Sequence, residues 1–353
     1  MRRHRVTAGR GARGSPRRRM TDPAALADVG RGLRERLGDA VEADRPLGPL
    51  TTYRVGGSAA WFVRARSVDD LLAVAEVRVG TGVRVLTIGR GSNMLVADSG
   101  FDGVAVSIAD CAADVVLPDD MSVAHRGDGD PVEVLAGGGA ALPVVARRTA
   151  AAGVRGFEWA VGVPGSIGGA VRMNAGGHGS DMAACVVDVG VVDLDRPECG
   201  VFRTAVDDLG LRFRASALPP SQIVLDARLD LRAGDRALAE AEISEIVRWR
   251  REHQPGGQNC GSVFVNPVPG EVTSGGLVDG LGLRGFRIGS AWVSDKHANF
   301  IQADEGGSAD DVRAVMETVR ERVAEHTGYR LRSEVRLVGF DDTDPMSFEE
   351  VLS

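Results

Sequence analysis

Between Pro23 and Leu37 the apolar residues Leu26, Val29, Leu33 and Leu37 return every three or four positions, which predicts a helix. Thr51 to Ala65 reads as a turn followed by a strand, and Ser67, three residues ahead of Asp70, can cap a second helix running to about Val79. Val83 to Ile88 is short, apolar and β-branched, the pattern of a buried strand. Shorter strands are predicted at Met94 to Ala97, at Val104 to Ile108 after the turn Asp98-Ser-Gly-Phe-Asp-Gly103, and at Val132 to Ala136 before three glycines. Leu142 to Ala152 should be a helix ended by Gly153.

Further on, Cys185 to Leu194 and Gln222 to Leu231 alternate β-branched with polar residues, so a second group of strands surrounds the glycine-rich stretch Gly153 to Gly179. A helix from Asp235 to about His253 is closed by Pro255-Gly-Gly257, the clearest break along the chain. Beyond it the pattern predicts a strand Ser262 to Val265, a helix Gly276 to Leu281, and strands near Gly285 to Trp292 and Ala298 to Gln302. A helix starting with the cap Ser308-x-x-Asp311 runs to Gly328, and a final strand covers Leu331 to Phe340. The class is α+β, without the regular alternation of a doubly wound parallel sheet.

Composition narrows the field. No apolar run approaches the roughly 18 residues of a membrane span, so a membrane protein is not expected. Residues 1–20 hold eight arginines and no acid; taking those eight from 42 basic residues leaves 34 against 49 acidic, a net of −15. An acidic body repels nucleic-acid phosphate, so no nucleic-acid partner is expected. The basic tail lacks the apolar segment of a secretory signal, and Met20 is a plausible effective start, with a polyanion-binding arm as the other reading. Cys111, Cys185, Cys199 and Cys260 form no C-x-x-C pair and the six histidines no ligand spacing, which excludes a zinc site or disulfide scaffold and points to a reducing cytoplasm.

The 47 glycines are about twice the usual share of ~7% and concentrate in two loops, Ile88 to Asn93 and Val161 to Gly179. The first begins G-x-G, but a strand follows it rather than a helix and its third position is Met94, so the Rossmann fingerprint fails. With Lys296 the sole lysine, a P-loop is excluded as well. Successive backbone N–H groups in such loops form anion-binding nests, and a diphosphate suits them.

The strings Thr51-Thr-Tyr-Arg-Val-Gly-Gly57, Gly89-Arg-Gly-Ser-Asn-Met-Leu95, Val163-Pro-Gly-Ser-Ile-Gly-Gly169 with Met173-Asn-Ala-Gly176, Cys260-Gly-Ser-Val-Phe-Val-Asn-Pro267, Ser294-Asp-Lys-His-Ala-Asn-Phe-Ile301 and Ser333-Glu-Val-Arg336 stand in one order over residues 46 to 340. That set resembles the UDP-N-acetylenolpyruvoylglucosamine reductase family, in its short form without an inserted tyrosine-bearing loop. The resemblance implies an FAD-binding fold of the p-cresol methylhydroxylase and vanillyl-alcohol oxidase type, built from two α+β subdomains over residues 46–232. It implies a C-terminal α+β substrate-binding domain over 233–340, with 1–45 and 341–353 as flanking segments. Non-covalent FAD, NADPH as hydride donor, a UDP-N-acetylglucosamine enolpyruvyl ether as substrate and a monomeric enzyme are its further implications.

Hydride addition to an enolpyruvyl group leaves negative charge delocalised into the neighbouring carboxylate, which calls for cationic and hydrogen-bonding groups there and a proton donor at the adjacent carbon. The resemblance makes Ser262 that donor, Glu334 the acid that polarises the carboxylate, and Arg214 the guanidinium that forks onto it. Arg212 competes with Arg214, because the local match is loose: Arg212 and Phe213 stand for the usual glycine and tyrosine. Flavin contacts are implied for Gly56, Gly57, Gly89, Gly91, Ser92, Asn93 and Met94, and for Gly162, Pro164, Gly165, Ser166, Gly168, Gly169 and Asn174. Asn266, Lys296 and His297 are implied to hold the UDP-sugar, no metal is expected, and Arg172, beside the second loop, has no assigned role.

Overall fold

The structure is a computed structural model that describes residues 21–118 and 126–340, so the arginine tail and residues 341–353 lie outside the described residues. Four hydrophobic cores organise it. In the first body, strands Val41–Pro46, Ser58–Arg64, Phe101–Ser107 and Arg84–Ile88 lie side by side in that order, the first pair antiparallel and the others parallel. Helices Pro23–Leu37 and Val68–Arg78 cover one face, where Leu33, Leu71 and Val74 meet Val63, Val104 and Val106. The caps foreseen from sequence form: the Ser67 side chain accepts from the Asp70 N–H, and Ser308 accepts from Asp311 N–H.

The second body is an antiparallel sheet in the order Val201–Ala205, Val186–Asp193, Gln222–Ala233, Pro131–Gly137, Val115–Val116. Its core joins helices Leu142–Ala151 and Ile167–Arg172 to Leu229, Leu231 and Val134. Helix Arg236–His253 sends Ala239, Ile243 and Ile246 into this same core, so by packing the chain crosses to the third body only at about Pro255. In the third body helix Ala309–Thr327 packs on the small sheet of Arg287–Ile288, Ala291–Val293 and Ile301–Ala303.

Four readings of the sequence change. A strand at Val41–Pro46 was not foreseen: its pattern is polar, and pairing with Ser58–Arg64 makes it a strand. The run ending at Ile88 is half-open instead of buried, because Arg84 to Thr87 line a cleft. Ser262 to Val265 is reduced to a single bridge, Phe264 with Ser333. The last strand shrinks to Arg336–Val338 and pairs parallel with Met94–Val96 of the first body, which sews the end of the described chain to its beginning. Asp98 strengthens that seam, its carboxylate accepting from the Ser308 hydroxyl at 2.6 Å and from the Ala309 and Asp310 N–H groups at 3.0 and 3.1 Å.

Candidate active site

A cleft of about 1140 Å³ runs between the three bodies. Both glycine-rich loops line it: Gly89, Gly91, Ser92, Asn93 and Met94 from the first, Gly162, Pro164, Gly165, Ser166 and Gly169 from the second. The loops touch, since a side chain at Gly89 would strike the Ser166 hydroxyl. At Gly91 the backbone is left-handed (φ +57°) and passes against the Leu50 carbonyl, so glycine is required there. The N–H groups of Arg90, Gly91, Ser92, Asn93, Gly165, Ser166 and Gly169 donate to no chain atom among the described residues. A cradle of free N–H donors fits the diphosphate of a dinucleotide, and the apolar wall of Val85 and Leu86 fits a flat ring system. FAD is therefore a group these residues can hold.

Charge agrees with that reading. Arg78, Arg84, Arg90, Arg172, Arg214, Arg250 and Arg336 line the cleft against only Asp195 and Glu334, on a body whose balance is acidic. Anionic ligands are drawn to such a cleft.

Three of the implied site residues come together. Arg214 Nε donates to Glu334 Oε1, joining side chains separated by 120 residues, and Ser262 lines the same cleft. Arg214 stands at φ +57° in a tight turn closed by Arg212 and Ala215, which bond each other's backbone at 3.0 Å. Within it Arg214 is half-buried and paired, while Arg212 is exposed. Burial pushes the Glu334 carboxyl above its ordinary range, and the Arg214 guanidinium pulls it back only in part. Asn93 fixes the segment that carries Glu334, donating to the Glu334 carbonyl at 2.9 Å and accepting from Arg336 N–H at 3.0 Å.

The Ser262 hydroxyl makes no hydrogen bond among the described residues. Its loop is held by Asn299, whose carbonyl accepts from Val263 N–H at 2.8 Å and whose side chain pairs both ways with the Phe264 backbone, at 3.0 and 2.8 Å. Sequence reasoning missed Asn299, although it stands within the Ser-Asp-Lys-His-Ala-Asn string. Neighbouring Cys260 is buried, and its thiol is pushed up to about 12, chiefly by burial, so it is inert at neutral pH.

The other implied contacts stand off the cleft wall. Gly56 and Gly57 pack backbone to backbone against residues 96–100, and Gly168 against Gly138 and Val224, all off the cleft wall. Asn174 is buried and bonds Asp181 Oδ2, Ala183 N–H and the Arg212 carbonyl, so it supports the Arg214 turn instead of touching the cleft. Asn266 accepts from Ser274 N–H, Lys296 Nζ donates to the Arg251 carbonyl, and His297 packs edge-on against Phe300; none of the three lines the cleft. Arg172 gains a place: its guanidinium donates to the carbonyls of Leu218, Pro219 and Gln222, pinning the segment that leads from Arg214. Burial and Arg336 lower it to about 10, which leaves it charged at neutral pH.

Comparison with known proteins matches this geometry. The profile described as "UDP-N-acetylenolpyruvoylglucosamine reductase, C-terminal domain" matches residues 253–338, and that described as "FAD binding domain" matches 59–196. The chain is 36% identical to UDP-N-acetylenolpyruvoylglucosamine reductase of Rubrobacter xylanophilus over 87% of this chain and 98% of that protein. It is 38% identical to the reductase of the same name from Heliobacterium modesticaldum over 83% and 89%. The crystal structure of UDP-N-acetylenolpyruvylglucosamine reductase from Thermus caldophilus is similar with a TM-score of 0.66 and 30% identity, covering 84% of this chain and 98% of that one.

Proposed function

This chain belongs to the UDP-N-acetylenolpyruvoylglucosamine reductase family, and we propose that Arg214, Glu334 and Ser262 carry the family's reaction in its cleft. The protein is a flavoenzyme of peptidoglycan precursor synthesis that reduces the enolpyruvyl ether of UDP-N-acetylglucosamine to UDP-N-acetylmuramate with NADPH. The observation that carries the residue roles is the Arg214–Glu334 pair, facing the cleft that Ser262 also lines.

FAD, held by the two glycine-rich loops, supplies hydride when bound. Arg214 binds the substrate carboxylate as a fork and stabilises the charge that grows on it during reduction. Burial, which raises the Glu334 pKa, lowers the cost of a proton on it, so Glu334 can meet that carboxylate as a donor once protonated, without two bare negative charges in contact. The Ser262 hydroxyl gives its proton to the carbon next to the carboxylate; a serine is a weak acid, but the acceptor is a strong base and placement governs the transfer. Arg172 and Asn174 hold the turn, and Asn299 holds the serine loop.

The enzyme works as a monomer in the cytoplasm on small molecules, a reading supported by a site assembled within one chain and by the absence, among the described residues, of any helix long and apolar enough to cross a membrane. The test follows flavin absorbance without oxygen. NADPH should bleach the purified protein, and the enolpyruvyl substrate should restore the yellow colour. Recovery with oxygen alone would overturn the assignment.

A further inference from the structure

Behind the reacting centre lies a tyrosine that none of the assigned roles uses. Tyr53 belongs to the first body, between strands Val41–Pro46 and Ser58–Arg64, yet its side chain is fully buried in the core of the third. That core also takes Cys260, Val263 and Val335, so it backs both the Ser262 loop and the Glu334 segment. A phenylalanine would fill an apolar core without asking for a polar partner, whereas a buried phenol hydroxyl is costly unless it finds one. The Tyr53 hydroxyl meets no oxygen or nitrogen partner among the described residues; the polar group it faces is the Cys260 thiol, two residues ahead of Ser262. Burial holds the phenol well above its ordinary range, so it keeps its proton and can donate toward the sulfur.

The stretch that carries Tyr53 is tied at both ends. With its amide nitrogen turned to Tyr53, Gln258 donates to the Tyr53 carbonyl at 2.6 Å and accepts from Glu305 N–H at 3.2 Å. On the other side Thr52 N–H donates to the Gly91 carbonyl at 3.2 Å, inside the first glycine-rich loop. Thr51 is locked as well, its hydroxyl donating to the Gly48 carbonyl at 3.0 Å and accepting from Arg54 N–H at 3.1 Å. Arg54 itself stands at φ +56°, a left-handed backbone that a non-glycine residue keeps only where its surroundings impose it. The serine loop, by contrast, has little secondary structure of its own. Between the isolated bridges at Gln258 and Phe264 no residue belongs to a helix or strand, and Gly261 is left-handed at φ +87°.

We infer that Tyr53 is a positioning residue for Ser262: its carbonyl on Gln258 and its hydroxyl on Cys260 fix the serine loop relative to the first glycine-rich loop. Tyr53 does not line the cleft, so it acts on the chemistry only through where Ser262 stands, and small displacements of a proton donor are expensive. The inference rests on the role proposed above for Ser262.

The test uses the flavin-loaded enzyme and its Tyr53→Phe, Cys260→Ala and double variants. Tyr53→Phe removes the hydroxyl and keeps the ring and the carbonyl, so flavin content should be unchanged. At saturating enolpyruvyl substrate, recolouring should slow about 3- to 10-fold, the reach of one hydrogen bond, with the half-saturating concentration and the rate of bleaching by NADPH unchanged. Cys260→Ala should slow it to a similar degree and the double variant no further, because the two groups act as one pair. Hydrogen exchange without substrate gives a readout apart from turnover: amides of residues 259–263 should exchange faster in Tyr53→Phe, and those of 89–93 at the wild-type rate. Recolouring and exchange both at wild-type rates, or an equal loss in the two half-reactions, would overturn the inference. Were the wild type to show no turnover while Tyr53→Phe loosened residues 259–263 alone, the proposed reaction would fall and the anchorage of the loop by Tyr53 would stand.

Discussion

Removing Arg214 isolates a buried charge, and the structure sets the size of the effect. The side chains of Arg214 and Glu334 are 27% and 14% exposed, so Arg214→Met leaves the carboxylate in a poor environment without its cation. Glu334 then has an escape, which is to take a proton. An ordinary Glu titrates near ~4.3, so holding that proton costs at most about 4 kcal/mol at pH 7 and about 1 kcal/mol at pH 5. Residual exposure lowers the ceiling, and we expect a loss of about 1–3 kcal/mol at pH 7.5 and under ~1 kcal/mol at pH 5. The sign follows from linkage: a carboxyl raised in the folded state binds more protons there than in the unfolded chain, so stability falls as pH climbs above the unfolded value. Burial already acts in that direction on native Glu334, and loss of Arg214 extends it to higher pH. Urea unfolding of the flavin-loaded protein between pH 5 and 8 measures it. The loss of cation–π contact with Phe213, at 5.1 Å, is independent of pH and appears as a constant offset. In the double variant Arg214→Met/Glu334→Gln the pH-dependent part should vanish. A stability difference between Arg214→Met and wild type that stays flat over this range would refute the reasoning.

Ser262→Ala should leave bleaching by NADPH intact and suppress recolouring by the enolpyruvyl substrate; recolouring at the wild-type rate would remove Ser262 from the proton transfer. Asp98→Ala strips three acceptor bonds from the start of helix Ala309–Thr327 and should cost about 1–2 kcal/mol in urea unfolding, with no change in the flavin spectrum. Asn174→Ala frees the turn that presents Arg214, so single-turnover recolouring should slow several-fold while the rate of bleaching holds. An equal loss in both steps would mean that Asn174 serves the flavin loop instead.

The local features were legible because local rules produce them. Helices with Ser67 and Ser308 as caps follow from periodicity and capping, and the two glycine-rich loops stood out by density alone. Less legible were the features set by distant partners. Val85 and Leu86 read as core because an apolar run does not reveal whether protein or ligand will cover it. The tight packing of Gly56 and Gly57 on the backbone of residues 96–100 was not legible, because a glycine needed for backbone packing looks the same in sequence as one needed for a phosphate. Arg214 and Arg212 differ only in the turn that tips one inward, and that turn depends on Asn174, 38 residues from Arg212.

The place of Glu334 shows why motif order carried more than spacing. The strand that follows it, Arg336–Val338, pairs with Met94–Val96 across the whole chain, in a register of Arg336 with Met94 and Leu337 with Leu95. Glu334 and Arg336 line the cleft while Val335 between them lies in the core. The pairing of Arg336–Val338 with Met94–Val96 therefore sets where this segment lies. Asn93 holds it, gripping the Glu334 carbonyl and the Arg336 N–H at once from inside the first glycine-rich loop. The first glycine-rich loop, whose N–H groups stay free, therefore also positions Glu334. Two motifs 241 residues apart are one structural unit, and neither spacing nor composition expresses that.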